Sequence, residues 1–194
     1  INDLTGKKYG LFDYYGDESA KKVIIAMGSV CEAARIAIDK LAEEGKKMGL
    51  VEVHLYRPFS VTDLIDAIPD TVEKIYVLDR TKEAGSSGEP LYLDVTAALY
   101  DSQFKNVPVF HGRYGLSSKD TSPAQIIAVY ENDTKKEFTI GIRDDVTNLS
   151  LDIPESYSGL ADENSYTCRF YGLGGDGTVS ANKNAVKIIG KHTD

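Results

Sequence analysis

The run Lys22–Gly28, Lys-Val-Ile-Ile-Ala-Met-Gly, is apolar at nearly every position. A strand with one wet face alternates apolar and polar residues, so an unbroken run of this length belongs to a strand covered on both faces. That is the situation of a parallel sheet flanked by helices. The next residues are helical in pattern. Ser29 stands where a cap belongs, Glu32 completes a capping-box spacing, and Ala33, Ala34, Ala37, Ile38 and Leu41 recur at helical intervals up to Gly45.

The strand–helix unit then repeats. Leu50–Tyr56 reads as a strand, and Ser60 opens a short helix with Leu64, Ile65 and Ile68 inward, closed before Pro69. Lys74–Asp79 is a third strand. The small-residue loop Ala84-Gly85-Ser86-Ser87-Gly88 leads to a helix with Pro90 near its first position and Leu91, Val95, Ala98 and Leu99 along it. Val107–Phe110 is a fourth strand, Ser122-Pro123 opens a helix through Ile126, Ile127 and Tyr130, and Phe138–Ile142 is a fifth strand. Strands and helices in this alternation predict right-handed βαβ crossovers and a three-layer α/β/α domain. Its sheet is expected to be mostly parallel and five-stranded, over about residues 20–143.

Between Thr147 and Ser165 the periodicity lapses into a polar stretch with Pro154 and Gly159, which reads as a linker. Beyond it, Tyr166–Tyr171 reads as a strand, followed by a glycine-rich turn and the start of a helix. The expected division is therefore 1–148 as one domain, 149–165 as linker, and 166–194 as an incomplete βα unit. A single βα unit has no second face to bury, and the first residue is not Met, so the chain is expected to be a segment of a longer protein.

Charge narrows the partners. Asp and Glu number 30 against 22 Lys and Arg, a net charge of -8, whereas phosphate backbones and anionic membranes need concentrated Lys and Arg. Neither nucleic acid nor a membrane is expected as a partner. No apolar run approaches the roughly 18 residues that span a bilayer, and the first residues do not resemble a signal peptide, so a cytoplasmic location is expected. Only Cys31 and Cys168 are present, against the about four thiolates that an iron–sulfur cluster wants. His54, His111 and His192 are too scattered for a metal cluster, and Asp144-Asp145 reads as a solvated strand end, so no metal ligand is expected. Ser29 lacks the GxSxG context of a nucleophile and reads as a cap, so no catalytic residue is expected either.

Open α/β sheets bind ligands outside the carboxyl ends of their strands, in the loops after Gly28, Tyr56, Asp79 and Phe110. Two of these loops are dense in charge: Asp79–Pro90, and His111–Asp120 with Arg113 and Lys119. They read either as contacts for an anionic ligand or a neighbouring domain, or as solvated turns. The glycine-rich turn is a second candidate. Gly172, Gly174 and Gly177 satisfy GxGxxG, a pattern that lets backbone N–H groups approach a phosphate at a helix N-terminus. It reads as a dinucleotide fingerprint, which makes a self-contained nucleotide-binding regulatory module the alternative reading of the chain. It also reads as the Gly-Asp-Gly of a thiamine-diphosphate enzyme, or as a tight turn required only by packing.

The whole segment from Phe170 to Gly190, Phe-Tyr-Gly-Leu-Gly-Gly-Asp-Gly-Thr-Val-Ser-Ala-Asn-Lys-Asn-Ala-Val-Lys-Ile-Ile-Gly, closely resembles the opening of the gamma-type domain of pyruvate:ferredoxin (flavodoxin) oxidoreductases. Arg80–Gly85 with Gly88–Val95, Gly112–Asp120 and Phe138–Thr147 are similar to that family's second domain, which is like the C-terminal domain of transketolase. The resemblance implies a parent enzyme that oxidatively decarboxylates pyruvate with coenzyme A to acetyl-CoA and carbon dioxide. It implies thiamine diphosphate, Mg and [4Fe-4S] clusters held elsewhere, electron transfer to ferredoxin or flavodoxin, and a homodimer. The segment itself is then a scaffold that packs against other domains of the same enzyme. Gly174, Gly175, Asp176, Gly177 and Thr178 are its expected ligand-facing group, on the coenzyme A side.

Overall fold

A computed structural model of the chain describes residues 2–6, 8–143, 146–160, 168 and 170–192. It divides into two compact units, Ile1–Ala161 and Asp162–Asp194. The first unit runs α1 (Asn2–Thr5), β1 (Phe12–Gly16), β2 (Lys22–Ala26), α2 (Val30–Glu43), β3 (Met48–Val53), α3 (Val61–Ala67), β4 (Lys74–Asp79), α4 (Pro90–Tyr100), β5 (Val109–Arg113), α5 (Pro123–Glu131) and β6 (Glu137–Thr139). The described part of the second unit is built around α6 (Thr178–His192).

The sheet has six strands in the order β1-β3-β2-β4-β5-β6, all parallel except β1, which pairs antiparallel with β3. The three-layer, mostly parallel architecture is the expected one. The expected strand count of five is corrected to six, because Phe12–Gly16 forms an edge strand whose Phe12 sits opposite Val53 and whose Gly16 sits opposite Gly49. Gly16 has φ 123°, and a Cβ there would lie 2.3 Å from the Met48 carbonyl oxygen, so the two backbones close only on a glycine.

Alternate residues of each strand feed two cores. On one face Ile24, Leu50, Tyr76, Phe110 and Phe138 pack under α2 and α5. On the other, Val23, Ile25, Val51, Ile75 and Val77 pack under α3 and α4. The first core holds two polar tips: Tyr76 donates to the Asn132 carbonyl at 2.8 Å and Tyr130 to the Gly49 carbonyl at 2.8 Å, so the burial of each phenol leaves no donor unmatched.

The helix positions set the hand of each connection. Both β4–α4–β5 and β5–α5–β6 step one strand in the same direction across the sheet, yet α4 lies on one face and α5 on the other. The two connections therefore have opposite hands, which corrects the expectation of uniformly right-handed crossovers. Covering explains the exception: without α5 beside α2, Tyr76, Phe110 and Phe138 would face water.

Helix starts also differ from expectation at one point. Ser60 accepts from the Asp63 N–H, and Ser122 forms a complete capping box with Gln125 before Pro123. Ser29 makes no cap bond. Gly28 (φ 78°) takes the turn, and Ser29 is already in helical conformation (φ -63°, ψ -18°), whereas a capping side chain reaches back from an extended residue.

The stretch expected to be linker meets the first unit over part of its length. Leu151 N–H donates to the Thr139 carbonyl at 2.9 Å, and Tyr157 is buried, with its hydroxyl on the Glu44 carboxylate and receiving a bond from Lys46 at 3.1 Å. Its residues 161–165 lie outside the described ones. Of the expected strand Tyr166–Tyr171, Tyr166, Thr167 and Arg169 lie outside the described residues, and Cys168, Phe170 and Tyr171 belong to no regular element. Asp144 and Asp145 are also outside them. No helix among the described residues is long and apolar enough to cross a membrane.

Candidate functional site

Chain direction across the sheet defines a crevice. From β2 the chain passes to β3 on one side, and from β3 it returns across β2 to β4 on the other, so the loops leaving β2 and β4 part to opposite faces. Such a reversal opens a cleft outside the carboxyl ends of the two strands. Two adjoining cavities lie there. One, of about 330 Å³, is lined by Ser29, Val30, Arg80, Gly115, Ser118 and Lys119, among others. The second, of about 240 Å³, is more apolar and is lined by Met27, Tyr56, Leu78, Asp79, Thr81 and Pro90, with Arg80 and Tyr114 shared between the two.

The walls are rigid for identifiable reasons. The Tyr114 hydroxyl donates to the Met27 carbonyl at 3.3 Å, tying the loop after β5 to the end of β2. Burial pushes the Tyr114 phenol up to about 12, so it stays a donor throughout the physiological range. Arg80 Nε donates to the Gly115 carbonyl at 3.3 Å. Gly115, Ser117 and Ser118 have φ of 62°, 55° and 56°. Two successive serines in the left-handed region cost energy that a free loop would not bear, and the turn they make carries Lys119 to the cavity rim.

Asp79 and Glu89, at the two ends of the charged loop after β4, serve the fold. Asp79 ends β4 buried, and its two carboxylate oxygens accept from Leu91 N–H at 3.0 Å and Tyr92 N–H at 3.1 Å, capping α4 across the loop. Burial raises its pKa, and the two backbone donors oppose that rise. Glu89, only 1% exposed, accepts from Arg113 Nε at 2.6 Å and meets His111 Nδ1 at 3.1 Å. Burial pushes the Glu89 carboxyl up, but Arg113 and then His111 outweigh it and hold it below the usual range. Tyr92 stacks on His111 at 4.2 Å between ring centres. The expected loop His111–Asp120 thus begins later than the pattern suggested: His111 and Arg113 are strand residues of β5, and only its second half reaches the crevice.

In the second unit Gly174, Gly175 and Gly177 have φ of 78°, 69° and 85°, so each occupies a conformation that side chains resist. Asp176 organises the turn. Its Oδ2 accepts from Leu173 N–H at 2.9 Å, and its Oδ1 accepts from Thr178 N–H at 3.0 Å and from the Thr178 hydroxyl at 2.6 Å. The Thr178 hydroxyl and backbone bonds, then that from Leu173, lower the Asp176 pKa to about 2. Gly172 is required for another reason: a Cβ there would lie 2.3 Å from Thr178 Oγ1. Four of the five expected ligand-facing residues form the turn ahead of α6, and Thr178 is the helix's first residue.

The donor set does not fit an iron–sulfur cluster, since Cys31 is buried in α2 and Cys168 is exposed in the other unit. Asp176 is engaged within the turn through both oxygens, and no second donor of a metal-bound thiamine diphosphate joins it among the described residues. Among the described residues no group of three or more His, Cys, Asp or Glu is arranged to hold a metal ion.

Comparison with known proteins gives a consistent family. The model of pyruvate:ferredoxin oxidoreductase core domain II matches residues 20–126. Pyruvate:ferredoxin oxidoreductase of Moorella thermoacetica is 49% identical over 198 residues, covering 100% of this chain and 17% of that protein. Pyruvate-flavodoxin oxidoreductase of Enterobacter agglomerans is 48% identical, with coverage of 100% and 17%, and that of Trichormus variabilis is 49% identical, with coverage of 98% and 16%. A solved 2-oxoglutarate:ferredoxin oxidoreductase from Magnetococcus marinus, with 2-oxoglutarate, coenzyme A and succinyl-CoA bound, aligns with a TM-score of 0.47 at 23% identity, covering 67% of this chain and 20% of that one. The chain spans about 17% of the length of the first two curated relatives.

Proposed function

Since the chain belongs to the pyruvate:ferredoxin oxidoreductase core domain II family, we propose that it is a segment of an enzyme that oxidatively decarboxylates pyruvate with coenzyme A and passes the electrons to ferredoxin or flavodoxin. The observation that carries this reading is identity near 49% along the whole chain to enzymes of which the chain spans only 17%. The same observation disfavours a self-contained nucleotide-binding module. Thiamine diphosphate with Mg supplies the carbanion chemistry and [4Fe-4S] clusters the electron path, and both belong to parts of the enzyme other than these residues.

The role of this segment is to hold. The domain of residues 1–148 is a scaffold against which other domains of the enzyme pack, and the enzyme works as a homodimer in the cytoplasm. Residues 149–165 join it to the start of the gamma-type domain at 166–194. There Gly174, Gly175, Asp176, Gly177 and Thr178 face coenzyme A, with Asp176 ordering the turn and backbone N–H groups of the glycines giving the contacts.

The test compares the 194-residue chain with the native polypeptide that carries it. The native polypeptide is expected to reduce ferredoxin or flavodoxin only when given both pyruvate and coenzyme A. The isolated chain is expected to show neither turnover nor a calorimetric signal with thiamine diphosphate. Turnover by the isolated chain, or a native polypeptide indifferent to pyruvate, refutes the proposal.

A further inference from the structure

The crevice outside β2 and β4 holds two cations without a carboxylate partner among the described residues. The chain pairs its other well-placed arginines with carboxylates: Arg35 with Glu52 at 2.6 Å, Arg57 with Asp94 at 2.7 Å, and Arg113 with both Glu89 and Glu137. Arg80 differs from these. Among the described residues it meets no carboxylate within ion-pair distance, and its one bond runs from Nε to the Gly115 carbonyl, which leaves both terminal nitrogens for another acceptor. Lys119, on the facing loop, lines the same cavity and likewise has no ion-pair partner among the described residues. What sets these two apart from the chain's other exposed cations is that both line one cavity at the sheet's reversal point.

The rest of the crevice refines the ligand. Asp120 also lines the cavity, so it opposes an anion with one negative charge against two positive ones. The α2 N-terminus adds Val30 at the cavity wall, with the Ser29 side chain making no cap bond there. Beside this polar chamber lies the smaller one, lined by Met27, Leu78, Pro90, Tyr56 and Tyr114 and by Asp79, whose two carboxylate oxygens are taken up by the Leu91 and Tyr92 N–H groups, and Arg80 stands between the two. A guanidinium with free terminal nitrogens matches the oxygens of a phosphate in pairs, and an apolar aromatic-lined chamber takes a flat organic group. We propose that this crevice binds a phosphate monoester, with the phosphate between Arg80 and Lys119 and the organic group in the chamber between Tyr56 and Tyr114.

The site lies wholly within the first unit and does not depend on the pyruvate activity or on the glycine-rich turn. The test is a titration of the ¹⁵N-labelled 194-residue chain with three probes, phenyl phosphate, inorganic phosphate and phenol, followed by amide and Arg Nε–H shifts. Phenyl phosphate is expected to saturate shifts at Val30, Arg80, Gly115 and Ser118, and to bind several-fold more tightly than either inorganic phosphate or phenol. Arg80→Gln and Lys119→Gln are each expected to weaken it by about tenfold, the size of one charge-assisted contact. Asp120→Asn, which removes the opposing charge, is expected to tighten it. Because these side chains are exposed, each variant should keep the wild-type spectrum away from the crevice. No saturable shift, shifts scattered over surface lysines, inorganic phosphate or phenol binding as tightly as phenyl phosphate, or affinity unchanged in both cation variants would each overturn the proposal.

Discussion

Replacing Glu89 by Gln removes one charge and almost no volume, at the point where the loop after β4 is fastened to β5. Glu89 is 1% exposed and joins Arg113 at 2.6 Å and His111 at 3.1 Å. Hydrogen bonds to charged groups contribute about 1.5–3 kcal/mol and neutral ones about 0.5–1.5, so converting these two contacts costs roughly 2–3 kcal/mol. Arg113 keeps Glu137 at 2.7 Å, which prevents the larger loss of a buried charge left alone. For a unit of this size the loss corresponds to a fall in Tm of about 2–4 °C per kcal/mol. The pH dependence is diagnostic. Because the Glu89 carboxyl sits below its ordinary value of 4.5 in the folded chain, its contribution is complete above that pH and is lost as pH falls through the folded value. Urea unfolding of both proteins, followed by circular dichroism at pH 7 and again near pH 3, measures the difference. A gap below about 0.5 kcal/mol at pH 7, or one that does not shrink in acid, would refute the assignment of this carboxylate as the ionised clasp.

Two further outcomes follow from local geometry. Ser122→Ala breaks the capping box of α5 and should cost about 1 kcal/mol in urea unfolding, whereas Ser29→Ala, at a serine that makes no cap bond, should cost far less; equal losses would contradict the difference in cap geometry. Burial pushes the Cys31 thiol up to about 12, so iodoacetamide at pH 8 should alkylate exposed Cys168 in the folded chain and reach Cys31 only after urea is added, as read by mass spectrometry of the tryptic peptides.

The parts of the fold that could be read from the sequence are those whose cause is local. β2 and β4 are continuous apolar runs, because both faces of each are covered by helices, and α5 announces itself through Ser122, Pro123 and Gln125. β1 gave no such signal. Phe-Asp-Tyr-Tyr-Gly is half-buried at an edge, and its pairing with β3 depends on Gly16 and Gly49 meeting closely, a fact about two backbones 33 residues apart. Gly112 shows the same limit within β5: a Cβ there would lie 2.2 Å from the ring of Phe138, so the position is dictated by a neighbour 26 residues further on. The hand of the β5–α5–β6 connection has no signature in any window of sequence, because it follows from which face still needs covering.

Charged residues were the hardest to sort, for a related reason. In sequence, Arg80, Arg113 and Lys119 are alike: cations in polar stretches after strands. The structure separates them by what lies opposite. Arg113 faces Glu89, whose place in the chain is 24 residues away, and so becomes part of the frame. Arg80 and Lys119 face a cavity instead. The N-termini of α6, which the glycine pattern marked as an anion site, and of α2, which it did not, divide in the same way. At α6 the turn supplies its own anion, since Asp176 already accepts from Thr178 and Leu173, and a second anion there would have to approach that carboxylate. At α2 the cap bond is not made, and two cations stand across the cavity from it. A ligand approaching the glycine-rich turn would meet a carboxylate already engaged by Leu173 and Thr178. The carboxylate that orders the α6 turn therefore also decides what an approaching group meets there, which the glycine pattern by itself does not show.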